Sequence, residues 1–316
     1  MTKISAVGKY LDQPILTAKL SKHLPLILTG TAGGFLANKL YKTPSENRKK
    51  EGGKTAVILA GTVISAIFAP KIASKLTGRK LPPTVKEVMK SNAEIVDKFV
   101  KNNVNSDLNN ILEKSKTKLL SLDEIKKLFE KNKNLADELI PPPDNIQAKD
   151  IFKEIGYLSI YGAIPVLGGI AGGVAADKIY EDNWKENIPN KVKEGVYQYL
   201  ANIFLCNIGA GMALGILEKM KITSKSARCL GMIGGILATG VIGGSIIANF
   251  IGNKLINPVM SKDCKSENRR PELLDLTLHT DDIATVSLLS GLKWIEPSLP
   301  LLYSISGYRA GIGYRN

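Results

Sequence analysis

The residues most suggestive of chemistry in this chain are glycines beside lysines. Gly52-Gly53-Lys54-Thr55 has the ending of a phosphate-binding P-loop, where backbone N–H groups and a lysine hold phosphate oxygens. That pattern needs a glycine five positions before the second of these glycines. Arg48 stands there instead, and no apolar strand precedes it. Gly209-Ala210-Gly211 with Gly215 follows the strand-like stretch Asn202 to Ile208, in the manner of a dinucleotide-binding turn. Such a unit requires a further strand and an acidic residue about 20 positions on. The chain continues instead into a basic segment and another glycine-rich apolar run.

Hydrolytic and metal chemistry lack material. The two histidines are His23 and His279. His279 lies near Asp275, Asp281 and Asp282, residue types that hold a cation through oxygen ligands. A solvated turn accounts for the same cluster. The three cysteines, Cys206, Cys229 and Cys264, form no CxxC pair. No Gly-x-Ser-x-Gly elbow or His-Glu-x-x-His pair occurs. No paired catalytic groups can be named, so the expectation is a protein that is not an enzyme and uses no cofactor or metal.

Stepping from single residues to segments, charged and apolar residues are sorted into blocks. Ile155 to Ala176, Gly195 to Leu217 and Cys229 to Asn253 contain no Asp, Glu, Lys, Arg or His. Each exceeds the roughly 20 residues that an α-helix needs to cross about 30 Å of hydrocarbon. Mean hydropathy is near zero only because these runs are averaged with lysine-rich segments. Two earlier runs, Leu24 to Asn38 and Thr55 to Pro70, are shorter. They are expected to cross only with lysines snorkelling at their ends, or to form a shallow hairpin. Uncharged polar residues within the runs, Ser159, Asn202, Asn207 and Thr239, either line a polar path or hydrogen-bond between helices.

The strongest local pattern is a ladder of small residues. Gly168, Gly172 and Ala176 are spaced by four, as are Gly240, Gly244, Ala248 and Gly252; Gly211 and Gly215 add a shorter copy. Residues four apart share one helix face. A face without side chains lets a second helix approach closely. These positions are the expected helix-packing residues, within the chain or against a second copy or another membrane protein. Replacing Gly244 with Leu is expected to disrupt assembly, read from particle size in detergent. There is also an internal echo: Gly33 to Tyr41 matches Gly172 to Tyr180, and Gly252 to Ile256 repeats part of it. A duplicated helical hairpin explains this, and so does the common need for small residues inside a span and an anchor at its edge.

The net charge of +14 comes mostly from lysines beside the apolar runs. That placement favours anionic lipid headgroups over nucleic acid. Lys219, Lys221, Lys225 and Arg228 form the tightest short basic loop. They are the expected anionic-lipid contacts, and the positive-inside tendency makes that loop cytoplasmic. Residues 81–150 change character. Thr84-Val85-Lys86-Glu87 and Ser121-Leu122-Asp123-Glu124 are capping boxes opening amphipathic helices, and Pro141-Pro142-Pro143 stops the second. The C-terminal tail doubles Gly-Tyr-Arg, a pairing suited to a membrane boundary.

The expected architecture is therefore an all-α, multi-pass helical membrane protein with glycine-mediated helix packing and a polar helical insert. Its parts are a basic lead and short apolar hairpin (1–80), a polar amphipathic insert (81–150), a three-helix transmembrane core (151–258), and a polar linker with an interfacial tail (259–316). A cytoplasmic or inner membrane is the expected location. A noncatalytic membrane-organising, scaffold or assembly role is the first expectation. A small-solute transporter or channel is the second, and a soluble or peripheral helical protein the third.

Overall fold

The computed structural model describes residues 3–102, 108–142, 147–260, 268–272 and 297–313. The described residues are helical, without a strand. Asp275, His279, Asp281, Asp282 and Cys264 lie outside them. The chain divides into two compact units.

Of the described residues, the first unit takes in 3–24, 82–102, 108–142 and 297–298. It holds α1 (Lys3–Leu11), the start of α2 (Pro14–Lys42), α4 (Val85–Asn102), α5 (Asn109–Ser115), α6 (Leu122–Lys131) and α7 (Lys133–Leu139). Both expected capping boxes form. The Thr84 N–H donates to Glu87 at 2.7 Å, and the Glu87 N–H returns to the Thr84 hydroxyl at 3.3 Å. Ser121 and Glu124 do the same at α6. Val96, Leu112, Ile125, Leu128 and Leu139 bury together as a core. The Gln13 side chain bonds both the N–H and the carbonyl of Leu120, tying the turn after α1 to the entry of α6.

The second unit is built on α3 (Arg48–Thr77), α8 (Ala148–Tyr180), α9 (Ile188–Tyr199), α10 (Leu205–Lys219), α11 (Lys225–Ile236), α12 (Ser245–Ile251), α13 (Asn257–Met260) and α14 (Leu299–Ile312). Among the described residues, four helices are long and apolar enough to cross a membrane: Arg48–Thr77, Ala148–Tyr180, Trp184–Lys219 and Ala227–Met260. The last two are continuous helices with π-wound stretches at Leu200–Phe204, Leu237–Gly244 and Gly252–Ile256. One such helix more is present than the three charge-free runs indicated. Thr55 to Pro70 is short by itself, but its helix continues through the lysines at both ends. Lys54 is matched there by Asp177 of α8 and by Glu181 just after it. Pro70 and Pro165 are accommodated inside α3 and α8.

Glycine contacts set the register of these helices. A side chain at Gly168 would run into Ser65 and the Gly61 carbonyl of α3, and one at Gly172 would meet Val57 and Ile58. The neighbouring pair faces the other way: Gly169 and Gly173 lie against the backbones of Gly307 and Gly311 in α14. Gly209 and Gly235 touch backbone to backbone where α10 crosses α11. Thus α3 is antiparallel to α8, and α14 is parallel to it.

Candidate functional site

Two layers of ion pairs lie at opposite ends of the second unit. At one end Arg79 pairs with Glu154 at 2.7 Å and covers the Tyr157 ring at 4.3 Å. There too Glu218 accepts from Arg228 at 3.0 Å and from the Ala148 N–H at 3.1 Å. The rise of α8 from Glu154 to Asp177 is about 34 Å, and that of the next span from Glu194 to Glu218 about 36 Å. Between the layers, large apolar side chains face outward, among them Phe68, Leu167, Met212, Ile246 and Phe250.

The second layer is more deeply buried. Asp177, 1% exposed, forms ion pairs with Lys54 at 3.1 Å and with Lys191 at 3.0 Å. The Lys191 ammonium, itself buried, also donates to the Gly311 carbonyl at 2.7 Å. It therefore caps the last turn of α14, where helix carbonyls lack intrahelical donors. Gly313 follows at φ 93, a left-handed conformation that favours glycine, with its N–H bonded to the Arg309 carbonyl. Asp177 and Lys191 thus join α3, α8, α9 and α14 at one point. Glu181 accepts from Lys54 at 2.9 Å and Lys50 at 3.0 Å, and these two ammonium groups hold its carboxyl below the usual range.

A second knot adjoins it. Glu194 and Arg269, both side chains about 4% exposed, pair at 2.8 Å. The Arg269 guanidinium covers the Tyr197 ring at 3.8 Å, and its backbone exchanges two hydrogen bonds with the Asn249 side chain. Arg309 of α14 bonds Glu272 at 2.8 Å and approaches Glu194 at 3.8 Å. From Glu194 a ladder of side-chain bonds runs down the helix: Gln198 donates to Glu194 at 2.7 Å, and Asn202 to Gln198 at 2.8 Å. Beside this knot opens a cavity of about 520 Å³, walled by α2, α3 and α14 and mostly apolar. Glu194, Arg269, Glu272 and Arg309 stand in its wall.

The sequence-derived packing residues scatter over several contacts. Gly168 and Gly172 meet α3, while Ala176 is fully buried. Gly211 lies against the Phe152 ring and Gly215 near Ala148. Gly240 is buried, Gly244 meets Ala201, Ala248 packs with Tyr197 and Ala201, and Gly252 lies on the Lys193 stem. In the internal echo, Gly172 and Gly173 are packed, whereas Gly33 and Gly34 have nothing within 4 Å of an added side chain. Lys219 and Lys221 are exposed, and Arg228 is partly buried in its pair with Glu218. The Lys225 side chain lies outside the described ones. Of the polar residues inside the runs, Thr239 bonds across helices to the Leu205 carbonyl, and Asn202 and Asn207 bond within their own helix. Arg309, read from sequence as a boundary anchor, is engaged by carboxylates of this same chain.

Asp177, Lys191, Glu194 and Arg269 were not singled out by sequence reasoning. Their one local signal is that Asp177 and Glu194 directly flank uncharged runs. Chemically the cluster offers fixed, paired charge beside an apolar hollow. Among the described residues, no group of three His, Cys, Asp or Glu side chains could hold a metal ion. No protein family, curated protein or solved structure matches the chain.

Proposed function

We propose that the chain is a noncatalytic multi-pass membrane protein, a scaffold or assembly subunit whose helices are held by glycine contacts in the bilayer and clamped by ion pairs at one boundary. One observation carries this reading: two ion-paired layers stand about 34 Å apart on α8, close to the roughly 30 Å of a hydrocarbon core, with outward apolar side chains between them. In water, apolar surface of that extent invites association; in lipid it is the matching surface. Backbone-to-backbone approach at Gly169, Gly173, Gly307 and Gly311 fits packing where lipid removes the hydrophobic drive between helices. The capped, amphipathic helices of residues 82–142 suit a polar helical insert outside the hydrocarbon. Exposed Lys219 and Lys221 suit contact with anionic headgroups.

Alkaline carbonate extraction of membranes containing the full chain is the test. Retention in the pellet is the expected result, and release into the supernatant overturns the reading. The Glu194–Gln198–Asn202 ladder favours a second reading, a small-solute transporter or channel, because buried polar residues in a span mark permeation paths elsewhere. Solute flux in vesicles reconstituted with the purified protein decides between the two.

A further inference from the structure

The cavity beside the Arg269–Glu194 knot is formed by three helix faces that do not interlock. Leu28 and Phe35 line it from α2, Leu59 and Val63 from α3, and Leu301 and Tyr308 from α14. Each set recurs at helical spacing, so each is one face turned inward. In a closed core such faces would interdigitate. Here they leave a groove between them, while Gly30, Gly33 and Gly34 face away from it on the opposite side of α2.

The hollow is long and polarised. Along α14 its wall runs from Leu301 to Gly313, about 18 Å. Half of a hydrocarbon core is about 15 Å. The Phe35 and Tyr308 rings meet edge to face at 5.0 Å near one end, and Arg309, Arg269, Glu272 and Glu194 stand at that same end. The other end is set by Leu28, Val63 and Leu301. The charged end therefore lies with the ion-pair layer, and the apolar end points toward mid-bilayer.

We propose that this slot holds one phospholipid with a zwitterionic head, its acyl chain along α14 and its phosphate and ammonium groups at Arg309 and Glu272. Charge complementarity selects the head. The two arginines and two glutamates in the wall sum to zero charge, and a head of zero net charge keeps that balance where a purely anionic one does not. A head carrying both charges exchanges the 2.8 Å Arg309–Glu272 contact for a phosphate on Arg309 and an ammonium on the half-exposed Glu272, so neither charge is left uncompensated. The buried Glu194–Arg269 pair stays intact beneath it. The proposal rests on the membrane-spanning reading.

The experiment uses the full chain in dodecyl maltoside, mixed with phosphatidylethanolamine or phosphatidylglycerol carrying a photoactivatable acyl chain. After irradiation, adducts are mapped by mass spectrometry. Phosphatidylethanolamine should label Leu301 to Ile305 and Leu28 to Ala32 about tenfold more than the outward residues Ile242, Ile246 and Phe250, as a locally bound lipid does over bulk exchange. Val63→Trp, which fills the slot, should remove that excess. Because Val63→Trp changes a buried position, Glu272→Gln is the second variant: its exposed carboxylate is not needed for packing, and it should lower the preference for phosphatidylethanolamine over phosphatidylglycerol about threefold. Even labelling of slot and outward residues, equal labelling by the two lipids, or no change in that preference with Glu272→Gln overturns the proposal. Carbonate extraction judges the membrane reading separately: a retained protein with an unlabelled slot sinks the lipid assignment alone.

Discussion

At the scale of residues, the behaviour of this protein turns on charges taken out of water. Asp177 faces Lys54 and Lys191, and removing one member of a buried pair leaves the others uncompensated, at a cost of about 3–5 kcal/mol. Asp177→Asn should therefore lower thermal stability in detergent sharply, and adding Lys191→Met should restore much of the loss; a melting series checks both. Glu181 tests the outer part of the same cluster. Lys54 and Lys50 hold its carboxyl below the ordinary value, so its contribution is complete above the unfolded carboxylate range and fades as pH falls through the lower folded value. Wild type and Glu181→Gln should differ in melting temperature at pH 7 and converge in acid, once the pH falls below the lowered folded-state value.

At the scale of elements, glycine positions with the same residue type carry opposite consequences. Gly169 lies against the Gly307 backbone, which cannot move aside as a side-chain tip can. Gly169→Leu should cost 1–3 kcal/mol or more, roughly the range for overpacking. Gly30→Leu in α2 meets open space and should be neutral or slightly stabilising, since Gly is a poor helix former. Melting curves of the two variants, measured side by side, separate helix contact from composition. Gly244 meets Ala201 within the chain, so Gly244→Leu is expected to lower the stability of the single chain. A loss of oligomer size without loss of chain stability would place that face against a second copy instead.

At the scale of the molecule, the second unit has two distinct ends. Lys54, Asp177, Lys191 and Arg309 gather at one, and Arg79, Glu154, Glu218 and Arg228 at the other. The basic segment around Lys50 and Lys54 lies at the end opposite the basic loop 219–228, an arrangement that the positive-inside tendency disfavours for free lysines. Asp177 and Glu181 offset that charge locally. Single cysteines at Ser45 and Asp182 should therefore react with an impermeant maleimide from one side of sealed vesicles, and one at Thr223 from the other. Reaction of all three from the same side would remove the four-span arrangement.

The sequence by itself determined the helical class, the three longest apolar helices and both capping boxes, because hydropathy blocks and caps are local properties of neighbouring residues. The long apolar helix from Arg48 to Thr77 was obscured, since Lys50 and Lys54 near its start look prohibitive until Asp177 and Glu181 stand beside them. The spacing of Gly168 and Gly172 was legible, but not that Gly169 and Gly173 form a second contact face. Only the tertiary structure decided the charged cluster and the slot. Lys191 and the end of α14 are separated by 120 residues, and Glu194 and Arg269 by 75. No local pattern records a pairing over such distances, which exists only once the helices have packed in register.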